Sequence, residues 1–170
     1  MAAIGILGGM GPQASAHLLR LVVHNAPNHT TINLDTDFPE IVLLSVPVPN
    51  FITNKKHLRV AKNILIQRTR LLEQAGCTVN GIACNTAHLL LPDLQAATKT
   101  PFVSIPELVA VKIMQMGAKR VGLLATPNTL QSTLYDDALG ASVKIVRPEK
   151  KIVNQIEKLI FKLLKGKFIE

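Results

Sequence analysis

The chain has 170 residues, 48% of them hydrophobic and 18% charged, a composition that indicates one globular domain with a core or two small ones. No apolar run approaches the roughly 18 residues of a membrane-spanning helix, so no membrane partner is predicted. The N-terminus lacks the basic stretch of a signal peptide, and the chain has two cysteines, so we expect a reducing, cytoplasmic location.

The net charge of +8 comes mainly from the C-terminal part of the chain. Residues 144–170 carry eight Lys and Arg against three Asp and Glu. Their lysines alternate with apolar residues, aromatic residues are few, and no nucleic-acid motif is recognisable. The pattern predicts the solvated side of one amphipathic helix and no nucleic-acid partner.

The N-terminal residues predict a strand, a glycine-rich turn and a helix. Residues 3–7 are apolar, three glycines follow within residues 8–11, and Pro12 suits the first turn of a helix over residues 12–25. The turn is a candidate anion cradle, and it also matches a loose dinucleotide fingerprint, which leaves a nucleotide-binding module as one alternative. Against that alternative, Asp35 and Asp37 precede the second strand, whereas a dinucleotide site needs an acidic residue at the strand's end.

The next segments predict a second strand and a long helix. Residues 41–46 are an apolar strand, residues 47–54 a loop at its carboxyl end, and residues 57–74 a helix that ends before Gly76. The loop follows the carboxyl end of a strand, where α/β folds bind ligands. It is therefore expected to lie at the site.

Residues 79–91, VNGIACNTAHLLL, are the stretch around which the chain is organised. An apolar run, three small residues and a helix-like apolar face predict a strand that enters a helix through a tight turn. Cys84 would lie at that turn, where the helix dipole would lower its pKa from about 8.5 toward neutrality. Asn85 and Thr86 are candidate carboxylate donors beside it. The alternative for Cys84 is a buried structural cysteine.

The chain's other candidate ligands do not form a metal-binding pattern. His17 and His24 lie on one face of the first helix without a third ligand nearby, so we interpret them as packing or surface residues. Cys77 and Cys84 fit neither a disulfide framework nor paired zinc knuckles. No metal is predicted.

From residue 106 the pattern begins again. After a strand over residues 102–105, we predict a helix over 107–116, a strand over 121–125 that ends at Thr126, a strand over 143–146 and an amphipathic helix over 151–165. The chain therefore divides into residues 1–105, with the glycine turn and Cys84, and residues 106–170. The second part has two clear strands, which are few for a parallel sheet whose two faces both need to be covered.

Three segments together resemble the aspartate/glutamate racemase family, whose members racemise amino acids without pyridoxal phosphate. They are IGILGGMGP at residues 4–12, ACNTAH at 83–88 and GLLAT at 122–126. The resemblance implies an α/β fold with flavodoxin-like parallel sheets in two similar domains, the second incomplete here. It also implies a homodimer, a substrate cleft between the domains and no cofactor. In the family, one cysteine thiolate removes the α-proton while a second cysteine delivers a proton from the opposite face.

The resemblance assigns roles to particular residues of this chain. It implies that Cys84 is the first catalytic cysteine, that Asn85, Thr86 and Thr126 bind the α-carboxylate, and that Met10 and its glycine neighbours form the floor of the cleft. Lys165, near a Gly-x-Phe segment similar to the family's, is expected to supply a cation. The residues implied at the substrate are therefore Met10, Gly11, Asn85, Thr86, Thr126 and Lys165.

The sequence departs from the family pattern at three places. The second catalytic cysteine would follow well beyond Thr126, and Cys77, in Gly-Cys-Thr, lies in the wrong half and is interpreted as structural. Pro49, Asn50 and Phe51 stand where many members place an Asp-Arg pair that binds the substrate's side-chain carboxylate. Finally, the chain is C-terminally short compared with the family. We therefore expect an isomerase acting on aspartate or glutamate with impaired racemisation, the alternative being an inactive truncated homologue that binds small carboxylates.

Overall fold

The computed structural model describes residues 3–51 and 55–166, and its larger layer is a four-stranded parallel sheet. The strands are β1 (Ala3–Gly8), β2 (Glu40–Ser45), β3 (Val79–Ile82) and β4 (Phe102–Val103). Their order is β2-β1-β3-β4, and Ile4 of β1 lies in register with Ile41 of β2 and Val79 of β3. This is the strand order of flavodoxin-like folds, so the predicted α/β class is confirmed.

Three helices accompany this sheet in the described residues, and a fourth follows β4 and packs against the second half. Local signals explain where they begin. They are α1 (Pro12–Asn25), α2 (Lys55–Gln74), α3 (Leu91–Gln95) and α4 (Ile105–Gln115). Pro12 occupies the first turn of α1, as predicted. The Ser104 hydroxyl accepts a hydrogen bond from the Glu107 N–H and caps α4. The strand predicted over residues 102–105 therefore ends at Val103, because the cap and Pro106 start a helix there.

The main core lies between this sheet and helices α2 and α3. Leu7 and Ile82 extend from the central strands, and Leu65, Leu72 and Leu94 from the helices, all at most 1% exposed. Cys77 is packed in the same cluster, in agreement with its interpretation as a structural residue. Burial of a leucine of this kind contributes about 1.5–3 kcal/mol to folding, so this cluster stabilises the strand ends that carry the site.

The second half contains a separate two-stranded parallel sheet. It pairs β5 (Arg120–Gly122) with β6 (Lys144–Val146), and Leu139, Val143 and Ala110 form a small core beside it. Its helices are α5 (Pro127–Leu130), α6 (Leu134–Leu139) and α7 (Lys150–Leu164). The strand predicted to Ala125 is shorter because Leu123 donates the last ladder hydrogen bond, to the Val146 carbonyl. Helix α6 was not predicted, since six residues are too few for a clear helical period.

Helix α7 leaves the smaller sheet and contacts the glycine turn of the first half. The Gln13 side-chain amide lies 3.4 and 3.5 Å from the carbonyl oxygens of Leu163 and Leu164. Gly11 is buried there, and a Cβ atom on it would lie 2.3 Å from Leu164 Cδ2. A glycine at this position therefore allows α7 to approach the backbone closely. Throughout the described residues, each helix is too short or too polar to span a bilayer.

Candidate active site

A cavity of 620 Å³ lies between the two halves of the chain and brings together residues that are far apart in the sequence. Cys84, Asn85 and Thr86 line it from the segment after β3, and Thr126, the N-terminal cap of α5, lines it from the second half. Six of the seven predicted site residues therefore line one space: Met10, Gly11, Cys84, Asn85, Thr86 and Thr126.

Strand pairing explains why Cys84 and Met10 meet. The Ala83 N–H donates to the Leu7 carbonyl, which continues the pairing of β1 and β3 one residue past Ile82. Cys84 then leaves the sheet, and Met10 follows the end of β1 by two residues. Because both strands are parallel, their carboxyl ends reach the same edge, where ligands bind in this class of fold.

Lys165 is placed differently from the other predicted residues. It is the C-terminal cap of α7 and is exposed to solvent. The preceding residue, Leu164, contributes an apolar side chain to the cavity lining. The cationic role expected for Lys165 remains a prediction.

Three threonine hydroxyls form a buried triangle at one side of the cavity. Thr86 Oγ1 lies 2.9 Å from Thr126 Oγ1, Thr126 Oγ1 lies 3.1 Å from Thr129 Oγ1, and Thr129 Oγ1 lies 3.3 Å from Thr86 Oγ1. The triangle joins the two halves of the chain, since Thr86 follows β3 while the other two belong to the start of α5. A carboxylate that accepts hydrogen bonds from Thr86 and Thr126 would replace hydroxyl-to-hydroxyl bonds with stronger charge-assisted ones.

The Asn85 side chain is oriented by a tyrosine from the second half. The Tyr135 hydroxyl donates a 2.8 Å hydrogen bond to Asn85 Oδ1. Burial raises the pKa of Tyr135, and the bond to Asn85 only partly opposes that shift, so the hydroxyl keeps its proton near neutral pH. With its oxygen occupied, Asn85 retains the two N–H donors of its amide for an anion.

His88 supports the turn that carries Cys84. Its ring is 1% exposed, Nδ1 lies 2.9 Å from the Cys84 carbonyl oxygen, and Nε2 accepts the Ile105 N–H at 3.1 Å. This pattern requires a neutral ring with its proton on Nδ1. Burial lowers the pKa of His88, which favours that neutral form. The ring thus connects the Cys84 backbone to the start of α4.

The Cys84 thiol does not have the lowered pKa expected from the sequence. Burial raises its pKa, and the backbone N–H groups of Ala87 and Thr86 act in the opposite direction without cancelling the effect. The expectation was wrong because the segment after Cys84 is a 3-10 helix of five residues, Thr86–Leu90, followed by the short helix α3. The dipole of so short a helix stabilises the thiolate less than burial destabilises it, so the net effect is to raise the pKa. The thiol is therefore protonated at neutral pH.

The raised pKa predicts how the Cys84 thiol reacts with alkylating reagents. Modification by iodoacetamide is expected to be slow at pH 7 and to accelerate about tenfold per pH unit toward pH 9, because the thiolate fraction grows at that rate below the pKa. Mass spectrometry of the folded protein measures this rate, and buried Cys77 should remain unmodified over the same period. A Cys84 rate that is already maximal at pH 7 would contradict the raised pKa.

Three residues of this site were not among those assigned to the substrate from the sequence: Thr129, Tyr135 and His88. The Thr-x-x-Thr spacing of a capped helix start was an available signal for Thr129, whose N–H donates to Thr126 Oγ1. Tyr135 had no comparable signal, because its contact with Asn85 spans 50 residues of sequence. Among the described residues, no group of three His, Cys, Asp or Glu side chains is placed to hold a metal.

The site combines a cysteine, an amide and hydroxyls at the end of one strand of a parallel sheet, and the second half of the chain faces them across a cleft. These features define a class of α/β proteins that carry a thiol in a cleft between two halves of the chain. The sequence model of the Asp/Glu/hydantoin racemases matches residues 7–170, and the chain belongs to that family. It is 28% identical over 156 residues to the broad specificity amino-acid racemase RacX of Bacillus subtilis. That match covers 90% of this chain and 68% of RacX.

Solved structures show the same fold. A structure of an aspartate racemase homologue from Pyrococcus horikoshii superposes with a TM-score of 0.76 at 28% identity, covering 95% of this chain and 71% of that one. The aspartate racemase of Picrophilus torridus gives a TM-score of 0.69 at 25% identity, covering 98% of this chain and 76% of that one. The chain is thus similar to these proteins over nearly all of its own length and over 68–76% of theirs.

Proposed function

We propose that this chain binds an amino acid in the cleft and that Cys84 removes its α-proton, without a cofactor. The observation that carries the proposal is that Cys84, Asn85, Thr86 and Thr126 line one cavity. Membership of a racemase family and similarity to amino-acid racemases support it. Residues 1–105 and 106–170 form the two sides of the cleft, and we further propose that the chain pairs as a homodimer.

In the proposed reaction the α-carboxylate lies against the Asn85 amide and the Thr86 and Thr126 hydroxyls. The minor fraction of Cys84 that has released its proton to solvent is a thiolate; it takes the α-proton and becomes a thiol, and the electron pair of the broken C–H bond stays on the α-carbon. The charge spreads into the carboxylate, where fixed donors stabilise it more strongly than in the ground state. Exclusion of water by the apolar face of α7 strengthens these interactions.

We propose that α-proton exchange on these 170 residues occurs from one face of the substrate. Inversion needs a second acid on the opposite face, and the chain's other cysteine, Cys77, is buried in the core. Exchange without inversion is the result expected of such a half-site. The second candidate function, a homologue that binds small carboxylates without turnover, is favoured by the raised pKa of Cys84.

Proton NMR in D2O tests the proposal. The α-proton signals of the L and D forms of aspartate and glutamate, the substrates that the resemblance predicts, and of methionine are followed in turn. Loss of the α-proton signal from one enantiomer, with chiral chromatography of the same sample showing no conversion to the other, is the expected result. Exchange of the α-proton from both enantiomers, with inversion, would contradict the one-faced site. If no amino acid loses its α-proton signal, binding of small carboxylates without turnover is the function that remains.

Removing the Tyr135 hydroxyl is expected to weaken binding of the amino acid. In Tyr135→Phe the Asn85 amide loses the partner that orients it, and a hydrogen bond of this kind contributes about 0.5–1.5 kcal/mol. We therefore expect the Kd for the amino acid to rise about 3- to 10-fold, measured by calorimetry, with folding unchanged by circular dichroism. An unchanged Kd would mean that Tyr135 does not position Asn85 for the ligand.

A further inference from the structure

A smaller cavity of 260 Å³ adjoins the cavity that contains Cys84. The two cavities share Met10, Gly11 and Leu164 in their linings, so they are direct neighbours. The smaller one extends from the glycine turn to the loop after β2 and to α7. A substrate whose α-carbon lies beside Cys84 therefore has a second space available for its side chain.

The lining of this smaller cavity carries no ionisable side chain among the described residues. Its side chains come from Met10, Pro12, Val48, Pro49, Asn50, Phe51, Phe161 and Leu164, with backbone from Gly9 and Gly11. Asn50 is its one polar side chain, and the Asn50 carbonyl oxygen lies 2.8 Å from His57 Nδ1. Such a lining favours apolar groups and gives a carboxylate no charged partner.

Basic side chains that the structure describes near the two cavities, including His57 beside the Asn50 carbonyl, are exposed to solvent. Lys165 follows Leu164 directly but is exposed to solvent at the end of α7. His17 lines the larger cavity, is exposed, and lies 3.4 Å from Arg20 through its Nδ1 atom. A cation in water gains little from pairing with a carboxylate, because both groups are screened.

We propose that the smaller cavity is the side-chain subsite and that it selects an amino acid with an uncharged, apolar side chain. This inference rests on the proposed function, since it assumes that the α-carbon lies beside Cys84. A side chain such as that of methionine or leucine buries apolar surface against Val48, Phe51 and Phe161. The carboxylate of aspartate or glutamate loses its hydration there without gaining a cation from the residues that the structure describes around the cavity.

The test compares binding and exchange across matched amino acids. We expect the Cys84→Ser variant, which keeps the cavities but lacks the base, to bind methionine and leucine at least about tenfold more tightly than aspartate and glutamate by calorimetry. The unmodified chain should show the same order in its α-proton exchange rates. Preference for an acidic amino acid in both readouts would overturn the subsite while leaving the proposed function in place.

The two readouts separate the failure of the subsite from the failure of the proposed function. Apolar preference in binding, without exchange from any amino acid, would support the subsite and reject the proton abstraction. Failure to bind any amino acid would overturn both.

A charge placed in the subsite gives a second, independent test. In Asn50→Arg a guanidinium enters the lining, and the ratio of glutamate to methionine binding is expected to rise about tenfold, because a paired guanidinium binds a carboxylate strongly. Gln115→Arg, at the exposed end of α4, is the matched control with the same added charge, and it should leave the ratio unchanged. An equal shift in both variants would mean that net charge, not the subsite, sets the preference.

Discussion

Replacing Cys84 with serine is expected to lower the rate of α-proton exchange at least about a hundredfold. A positioned acid or base contributes about 10²- to 10⁴-fold to such reactions, and a serine hydroxyl is far too weak an acid to supply an equivalent base. The substitution keeps nearly the same shape, so the threonine triangle and the Asn85–Tyr135 bond should persist. The measurement is proton NMR in D2O with the amino acid that the unmodified protein exchanges fastest.

The second cysteine provides the matched control for this variant. Cys77→Ala removes a thiol from the main core, 5% exposed, and not from the cleft. Its exchange rate should match the unmodified protein at temperatures where it remains folded, while its Tm falls because a core contact is lost. Equal loss of exchange in both variants would mean that the effect follows from stability and not from the thiol of Cys84.

Replacing Gly9 with alanine is expected to destabilise the fold by at least about 2 kcal/mol. Gly9 has a φ of +91°, and a Cβ atom on it would lie 2.2 Å from the backbone nitrogen and 2.6 Å from the carbonyl oxygen of Val46. The positive φ alone costs about 1–3 kcal/mol, and forced overlap with backbone adds a similar amount because backbone cannot move aside as a side chain can. Urea unfolding measures the loss of stability.

The expected damage extends to the site because Gly9 shapes the turn before Met10. The Gly9 N–H donates to the Ser15 hydroxyl at 2.9 Å, and Met10 and Gly11 line both cavities. Gly122→Ala is the control, since a Cβ atom at Gly122 meets nothing within 4 Å. That variant should change stability by less than about 1 kcal/mol. If Gly9→Ala changed stability as little as Gly122→Ala, the close contact between the glycine turn and Val46 after β2 would be contradicted.

The local elements were predictable where their signals lie close together in sequence. The helix over residues 12–25 agrees with α1 at both ends, because Pro12 and an apolar face define it within one segment. Helix α7 agrees within one residue at each end for a similar reason. Strands were less accurate at their ends: β5 stops at Gly122 because its partner β6 has three residues. Strand length depends on the partner, which local sequence does not specify.

The residues that form the site were partly predictable, because some of them have signals in the local sequence. Cys84, Asn85 and Thr86 follow one strand, and Thr126 precedes a helix start, so each has a local signal. His88 and Tyr135 lacked one, since their roles come from contacts with Ile105 and Asn85 in other elements.

The sequence by itself determined the parallel α/β fold, the family resemblance and the cysteine turn, because apolar periodicity, glycines and prolines act over a few residues. Tertiary structure alone decided three features of the site. It placed Thr86 against Thr126 across 40 residues, and it placed α7 over the cleft. It also reversed the expected shift of the Cys84 pKa. Desolvation of the thiol depends on how many atoms from distant parts of the chain exclude water from it. The local sequence specifies the helix dipole but not this burial.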